Sequence, residues 1–356
     1  MLSGIHLLRG LAALLVAGFH IQAAARGGEG GNPVLFEVFR GGALGVDIFF
    51  VISGFIIYYT ASRAPVWSAR NFVSGRFFRI YPVYWIVLAA FIALAFGLWM
   101  LTGDASKLPS TEVLVRSILL LPSDQYAISI AWTLTIELLF YALFAAVFRG
   151  KGQDNSLLFV CMLSWALFSI LFTATGLQAG GMNVIFHPAV SELLFGVVIA
   201  HIYLVGERRF ANAAFALGLG GTLATLLFVE GGDLHTWRSV IAGVPAALLV
   251  YGALGLRKEL GFFGKLFGDA SYLLYLIHIP AYLVLGFVFE KAFGISIYAN
   301  DLTMGATLGL TFIAACAAHL MIERPYQAWY KSRTQRARAR ERDLRHAHAA
   351  QQKTAP

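Results

Sequence analysis

Apolar residues in this chain come in long blocks parted by short polar joints, a pattern matched to the thickness of a bilayer. The apolar windows fall at about 5–25, 44–60, 80–102, 129–148, 156–177, 184–204, 211–229, 238–256, 270–290 and 303–322. Ile80 to Gly103 alone is a run of 24 residues without a charge, and about 20 apolar residues suffice to cross the hydrocarbon as a helix. The expected fold class is therefore all-α, a polytopic membrane protein of about ten transmembrane helices. No internal repeat or long linker interrupts the series. Residues 1–326 read as one membrane domain, and 327–356, which include KSRTQRARARERDLRH, read as a basic cytoplasmic tail.

Lys and Arg sort between the two sets of joints as 21 against 6 when ten spans are threaded. The rule that cytoplasmic loops carry the excess positive charge then puts both termini in the cytoplasm of a multi-pass inner (plasma) membrane protein. An odd number of spans would mix the two sets. A cleaved signal peptide ending near Ala23-Ala24-Ala25 is the competing reading, and it would discard His20 and invert the pattern.

Composition narrows the function. With 58% hydrophobic and 13% charged residues, against roughly 25% charged in a soluble domain, a soluble enzyme is excluded. The sequence pI near 9.5 reflects joints and tail without a recognition motif, so nucleic acid is not an expected partner. The tail instead suits anionic lipid headgroups or serves as an orientation signal. Cys161 and Cys316 lie inside apolar windows without a CxxC or CxxH neighbour, so neither a disulfide framework nor a metal site is expected.

Ionisable residues inside spans are costly and are functional candidates by default. Arg9 and His20 share the first window, LRGLAALLVAGFH. Eleven residues apart, they fall on one helix face within about 20°, separated by about 16 Å along the axis. That places a cation near the membrane surface and a base at depth. Asp47, in GGALGVDIFFVISGF, lies at a depth similar to His20. It would either fix the tautomer of His20 or cap the second span. Glu137 in WTLTIELLFY would orient His20, orient an acceptor, or tie two helices, while Glu192 in HPAVSELLFG reads as structural.

Arg76 and Arg79 in SGRFFRIYP are spaced i, i+3 and suit forked bonding to phosphates, with Tyr81-Pro82 opening the third span. His278, before Ile279-Pro280, reads equally as structural or as part of the site. His187, His201 and His319 read as structural, and Glu323-Arg324 as a local ion pair.

Together these segments resemble acyltransferase family 3, integral membrane proteins that O-acylate surface and exported carbohydrates. The resemblance rests on Arg9-x10-His20, GVDIFFVISGFII, Arg76-x-x-Arg79 with Ile80-Tyr81-Pro82, WTLTIE ending at Glu137, SYLLYLIH ending at His278, and Glu323-Arg324-Pro325, in order along residues 1–326. It implies a ten-span fold, a cytoplasmic acyl-CoA donor and a carbohydrate or lipid-linked glycan acceptor. It further implies that His20 is the essential residue and Arg9 its partner, and that no tightly bound cofactor is needed. Some relatives carry a fused extracytoplasmic hydrolase-like domain. None is evident here, so a stand-alone enzyme similar to exopolysaccharide acetyltransferases is expected, with polysaccharide-biosynthesis partners left open.

On that reading His20 and Asp47 belong to the chemistry with Arg9 and Glu137, while Arg76, Arg79, Arg9 and His278 hold the acyl-CoA, an acetyl donor by the family's habit. The 16 Å from Arg9 to His20 is comparable to the reach of a pantetheine arm. His20 would act as general base or carry the acyl group itself. A transporter or flippase for a lipid-linked sugar is the alternative, and a non-catalytic membrane subunit a third reading; an inverted repeat would favour transport, and none is found.

Overall fold

A computed structural model describes residues 2–29, 34–106, 108–206, 209–229, 235–256 and 259–336, so Lys107 and most of the basic tail, 337–356, lie outside the described residues. Among the described residues no strand forms. The helices are α1 Ser3–Ala24, α2 Gly45–Ser62, α3 Ala69–Thr102, α4 Thr111–Leu119, α5 Trp132–Val147, α6 Ser156–Ala174 and a single turn α7 Met182–Ile185. They continue with α8 Val190–Val205, α9 Ala211–Phe228, α10 Val244–Ala253, α11 Phe262–Asp269, α12 Ser271–Phe293 and α13 Asp301–Ala318. Among the described residues nine helical stretches are long and apolar enough to span a membrane, and the shorter apolar stretch Ser239–Ala253 occupies the remaining expected window.

Helices α1, α2, α8 and α12 supply much of the buried core, and the outer helices keep apolar faces open to lipid. The apolar stretch of α1 is 67% buried, against 22% for α6. Two glycines bring α2 and α8 together backbone to backbone. A Cβ at Gly54 would lie 2.1 Å from the Leu193 carbonyl oxygen, and one at Gly196 2.1 Å from that of Val51. Small residues of this kind allow the close approach on which helix association in lipid depends.

The third helix starts earlier than hydropathy predicts. Ser68 caps it by accepting from the Asn71 N–H at 3.3 Å, so Arg70, Arg76 and Arg79 stand on the helix and not in a joint before it. Pro82 consequently lies inside α3 instead of opening it. A proline deprives the carbonyl four residues earlier of its donor, and here Tyr326 Oη donates to the Phe78 carbonyl at 3.1 Å. The same repair recurs at Pro245, where Thr225 Oγ1 donates to the Ile241 carbonyl at 2.9 Å. Side chains of neighbouring helices thus satisfy backbone groups that lipid cannot.

The last helix is also longer than expected. Beyond α13 it passes through a π-helical turn, His319–Glu323, and continues to Arg336. The boundary expected at 326 therefore falls in mid-helix.

Candidate active site

Helix α1 presents Arg9 toward a cavity of about 190 Å³, whose polar lining also includes Arg76 and Arg79 of α3, Glu137 of α5 and Ser53 of α2. The guanidinium of Arg9 has no hydrogen bond or ion pair among the described residues. Arg76 lies over the rings of Phe72 and Tyr141, at 5.5 and 5.7 Å from their centroids. Arg79 donates to Glu323 Oε1 at 2.5 Å and stands over the Tyr272 ring. Most of the fifteen N–H donors that three guanidiniums carry are thus not spent on the protein. Three such guanidiniums offer donors in number and geometry suited to an anion with several oxygens.

Glu137 carries the opposite charge into the same space. Its Oε1 accepts from Ser53 Oγ at 2.5 Å and from the Tyr141 hydroxyl. These bonds hold the carboxylate at the wall and tie α2 to α5. Glu137 makes no hydrogen bond to His20, one of the roles considered for it.

His20 does not line this cavity. Its Nδ1 lies 2.9 Å from the Val16 carbonyl and 3.2 Å from His278 Nε2. His278 is fully buried, and its Nδ1 lies 2.6 Å from the Tyr275 carbonyl. A carbonyl oxygen can only accept, so both Nδ1 atoms carry the hydrogen. His278 Nε2 is then a lone pair receiving His20 Nδ1–H, and His20 Nε2 is a second lone pair without a protein donor among the described residues. Tyr282 Oη, donating to the Ala17 carbonyl at 2.8 Å, clamps α12 to α1 beside the pair. Tyr275 links the two parts: it lines the cavity, and its ring centroid lies 6.0 Å from that of His278. His278, expected against the donor, stands behind His20 instead.

Asp47 is likewise not the partner of His20. Arg238 Nε donates to Asp47 Oδ1 at 2.9 Å and its Nη2 to Oδ2 at 2.7 Å, a two-pronged pair that closes on itself. Nη2 also reaches the Ala43 carbonyl at 3.3 Å. Both Asp47 and Glu192 are fully buried, and Glu192 packs so tightly on Gly243 that a Cβ there would approach its Oε1 to 2.6 Å. The pairing expected with His20 fails because Arg238, just ahead of the Ser239–Ala253 helical stretch, offers a fixed charge and a matched fork. In the sequence Arg238 looks like an ordinary interfacial anchor. The signal that could have found it is two carboxylates near the same end of their spans with a single cation to serve them.

Glu323 departs from its expected local pair with Arg324. The π-helical turn brings His319 Nδ1 within 2.8 Å of Glu323 Oε2, while Arg79 and Gln327 Nε2 both reach Oε1. Helical turns of this kind recur at functional sites. The His187 ring lies tilted against that of Trp132 at 4.7 Å, and His201 Nδ1 meets the Tyr58 hydroxyl at 3.1 Å.

Residues 2–321 match the family described as "Acyltransferase domain", acyltransferase family 3. The chain belongs to this family. It is an acyltransferase with multiple membrane-spanning helices. It is similar to the "Exopolysaccharide production protein ExoZ" of Rhizobium meliloti, 32% identical over 311 residues that cover 80% of this chain and 89% of the relative. It is also 28% identical to an uncharacterized protein of Haemophilus influenzae over 234 residues, 58% of this chain and 92% of the relative. No solved structure matches the acyltransferase.

Proposed function

We propose that this chain takes an acyl group, acetyl in the simplest case, from cytoplasmic acyl-CoA and passes it to a hydroxyl of an exported carbohydrate. The observation that carries the donor half is the cavity in which Arg9, Arg76 and Arg79 converge with donors unspent. The acceptor half rests on the likeness to a protein named for exopolysaccharide production. The charge asymmetry along the chain supports placing the arginine end on the cytoplasmic side of the inner membrane.

In this reading Arg76 and Arg79 grip phosphate oxygens and Arg9 steadies the donor arm. His20 Nε2 takes the proton from the acceptor hydroxyl as that oxygen attacks the thioester carbonyl. The carbon–sulfur bond breaks, and the departing thiolate takes the proton back from the imidazolium, leaving an ester and a free thiol. His278 Nε2 and the Val16 carbonyl both accept from His20 Nδ1–H and favour the charged ring while it lasts. His278 is thus a positioning residue. Base catalysis of this kind contributes about 10²- to 10⁴-fold.

The deciding experiment incubates the purified protein with acetyl-CoA and polysaccharide from cells lacking it, following thiol release and acetylation of the glycan by mass spectrometry. Thiol release coupled to a new glycan ester is the expected result. No release, or release without ester formation, rejects the reading. Cysteines placed at Ala105 and at Arg336 test the orientation: an impermeant reagent should label the first and not the second in intact cells.

A further inference from the structure

A second hollow, of about 430 Å³, opens where the start of α3 meets the extension of the last helix. Arg79 lines both this groove and the smaller cavity. Arg324 and Lys331 add two more cations, and Phe78, Tyr326 and Tyr330 add aromatic rings. The Tyr330 ring stacks on Phe78 at 4.8 Å, and Tyr326 is held by its bond to the Phe78 carbonyl, so the aromatic wall is fixed in place. Asp269, the carboxylate among the lining residues, already faces His6 Nε2 at 3.3 Å. Because Glu323 turns inward to Arg79 and His319, Arg324 is left to the groove.

Size divides the two hollows. Pockets that enclose a compound of drug size run to roughly 300–1,000 Å³, so the cavity of about 190 Å³ has room for the slender arm and the phosphate that begins it, between Arg76 and Arg79, and not for the nucleoside. The groove has the room, the cations for phosphate and the flat faces for a purine. We infer that it seats the nucleotide end of the donor, an adenosine bisphosphate, with Arg324 and Lys331 on its phosphates and Arg79 at the junction where the acyl-carrying arm turns into the cavity. The inference rests on the acyl-CoA reading above and extends it to residues outside the Arg76–Arg79 pair.

The test uses the full chain in nanodiscs of zwitterionic phosphatidylcholine. Calorimetric titration with adenosine 3′,5′-bisphosphate should show binding that weakens about tenfold in Arg324→Ala and in Lys331→Ala, as loss of a charge-assisted phosphate contact would. KM for acetyl-CoA should rise by a similar factor, while KM for S-acetyl-pantetheine, which lacks the nucleotide, should move less than about twofold. Unchanged bisphosphate affinity in both variants would overturn the assignment and leave the groove to a phospholipid headgroup. A wild type that uses both donors with equal KM would also overturn it, while leaving the acyl-CoA reading intact. A wild type that consumes neither donor, yet binds the bisphosphate through Arg324 and Lys331, would overturn the acyl-CoA reading and keep the nucleotide site.

Discussion

Two arginine–carboxylate pairs in this protein look alike on paper and differ in what they leave over. Arg238 and Asp47 are 11% and 0% exposed, joined by two parallel bonds with a third to a carbonyl, and neither lines either hollow. Arg79 and Glu323 are 31% and 0% exposed, joined by a single contact, and the remaining donors of Arg79 face open space. A guanidinium saturated by its own protein fixes helices. One that is half satisfied beside a cavity keeps donors that a ligand could use. Burial and charge do not separate the two cases; the count of unspent donors does.

The sharpest way to break this contrast is to remove one partner of the closed pair. Asp47→Ala leaves the Arg238 guanidinium buried without its counter-charge, which costs about 3–5 kcal/mol, and should show as a large loss of thermal stability in detergent. Replacing both, Asp47→Leu with Arg238→Met, should recover most of it. A stable Asp47→Ala protein with collapsed turnover would instead return Asp47 to the chemistry.

His20→Ala should lower kcat by at least about 10²-fold with donor affinity kept. His278→Ala should fall less, by about tenfold, with its pH–rate profile displaced, since it acts through His20; steady-state kinetics across pH measures both. An active His20→Ala enzyme would end the mechanism.

Arg76→Ala and Arg79→Ala should raise KM for acetyl-CoA by about tenfold each with a smaller change in kcat, because a phosphate contact persists from ground state to transition state. Neither should approach the instability of Asp47→Ala, and if Arg79→Ala did, the open pair would be structural after all. The smallest effect concerns the backbone: Thr225→Val removes the donor to the Ile241 carbonyl beside Pro245 and should cost about 1 kcal/mol in an unfolding titration, with kinetics unaltered.

Much of the bundle is legible in hydropathy because lipid imposes one requirement over each whole span. The window 129–148 becomes the stretch Ser129–Val147, and 211–229 becomes Ala211–Phe228. Hydropathy fails where helix continues beyond the oil. Arg70 to Arg79 and Arg324 to Arg336 are polar enough to read as joint and tail, yet their backbone bonds stay helical. The site divides the same way. Spacing alone brings Arg76 and Arg79 to one lining, since three residues fix a helix face. No spacing reveals that Arg238 would claim Asp47, 191 residues away, or that His278 would stand behind His20, 258 residues away.

Helix α3 has 34 residues, which is about 51 Å of rise, while the hydrocarbon core is about 30 Å thick. The charge-free run from Ile80 to Gly103 already fills that thickness. With that run across the hydrocarbon, the eleven helical residues ahead of it, 69–79, would extend into the hydrated headgroup layer, and Arg76 and Arg79 with them. A polyanionic substrate reaching these guanidiniums sheds little of its hydration, because only its uncharged arm need pass deeper. On the proposed donor reading the arginines would also stand at the level of the lipid phosphates, so anionic phospholipid would compete with the donor for them.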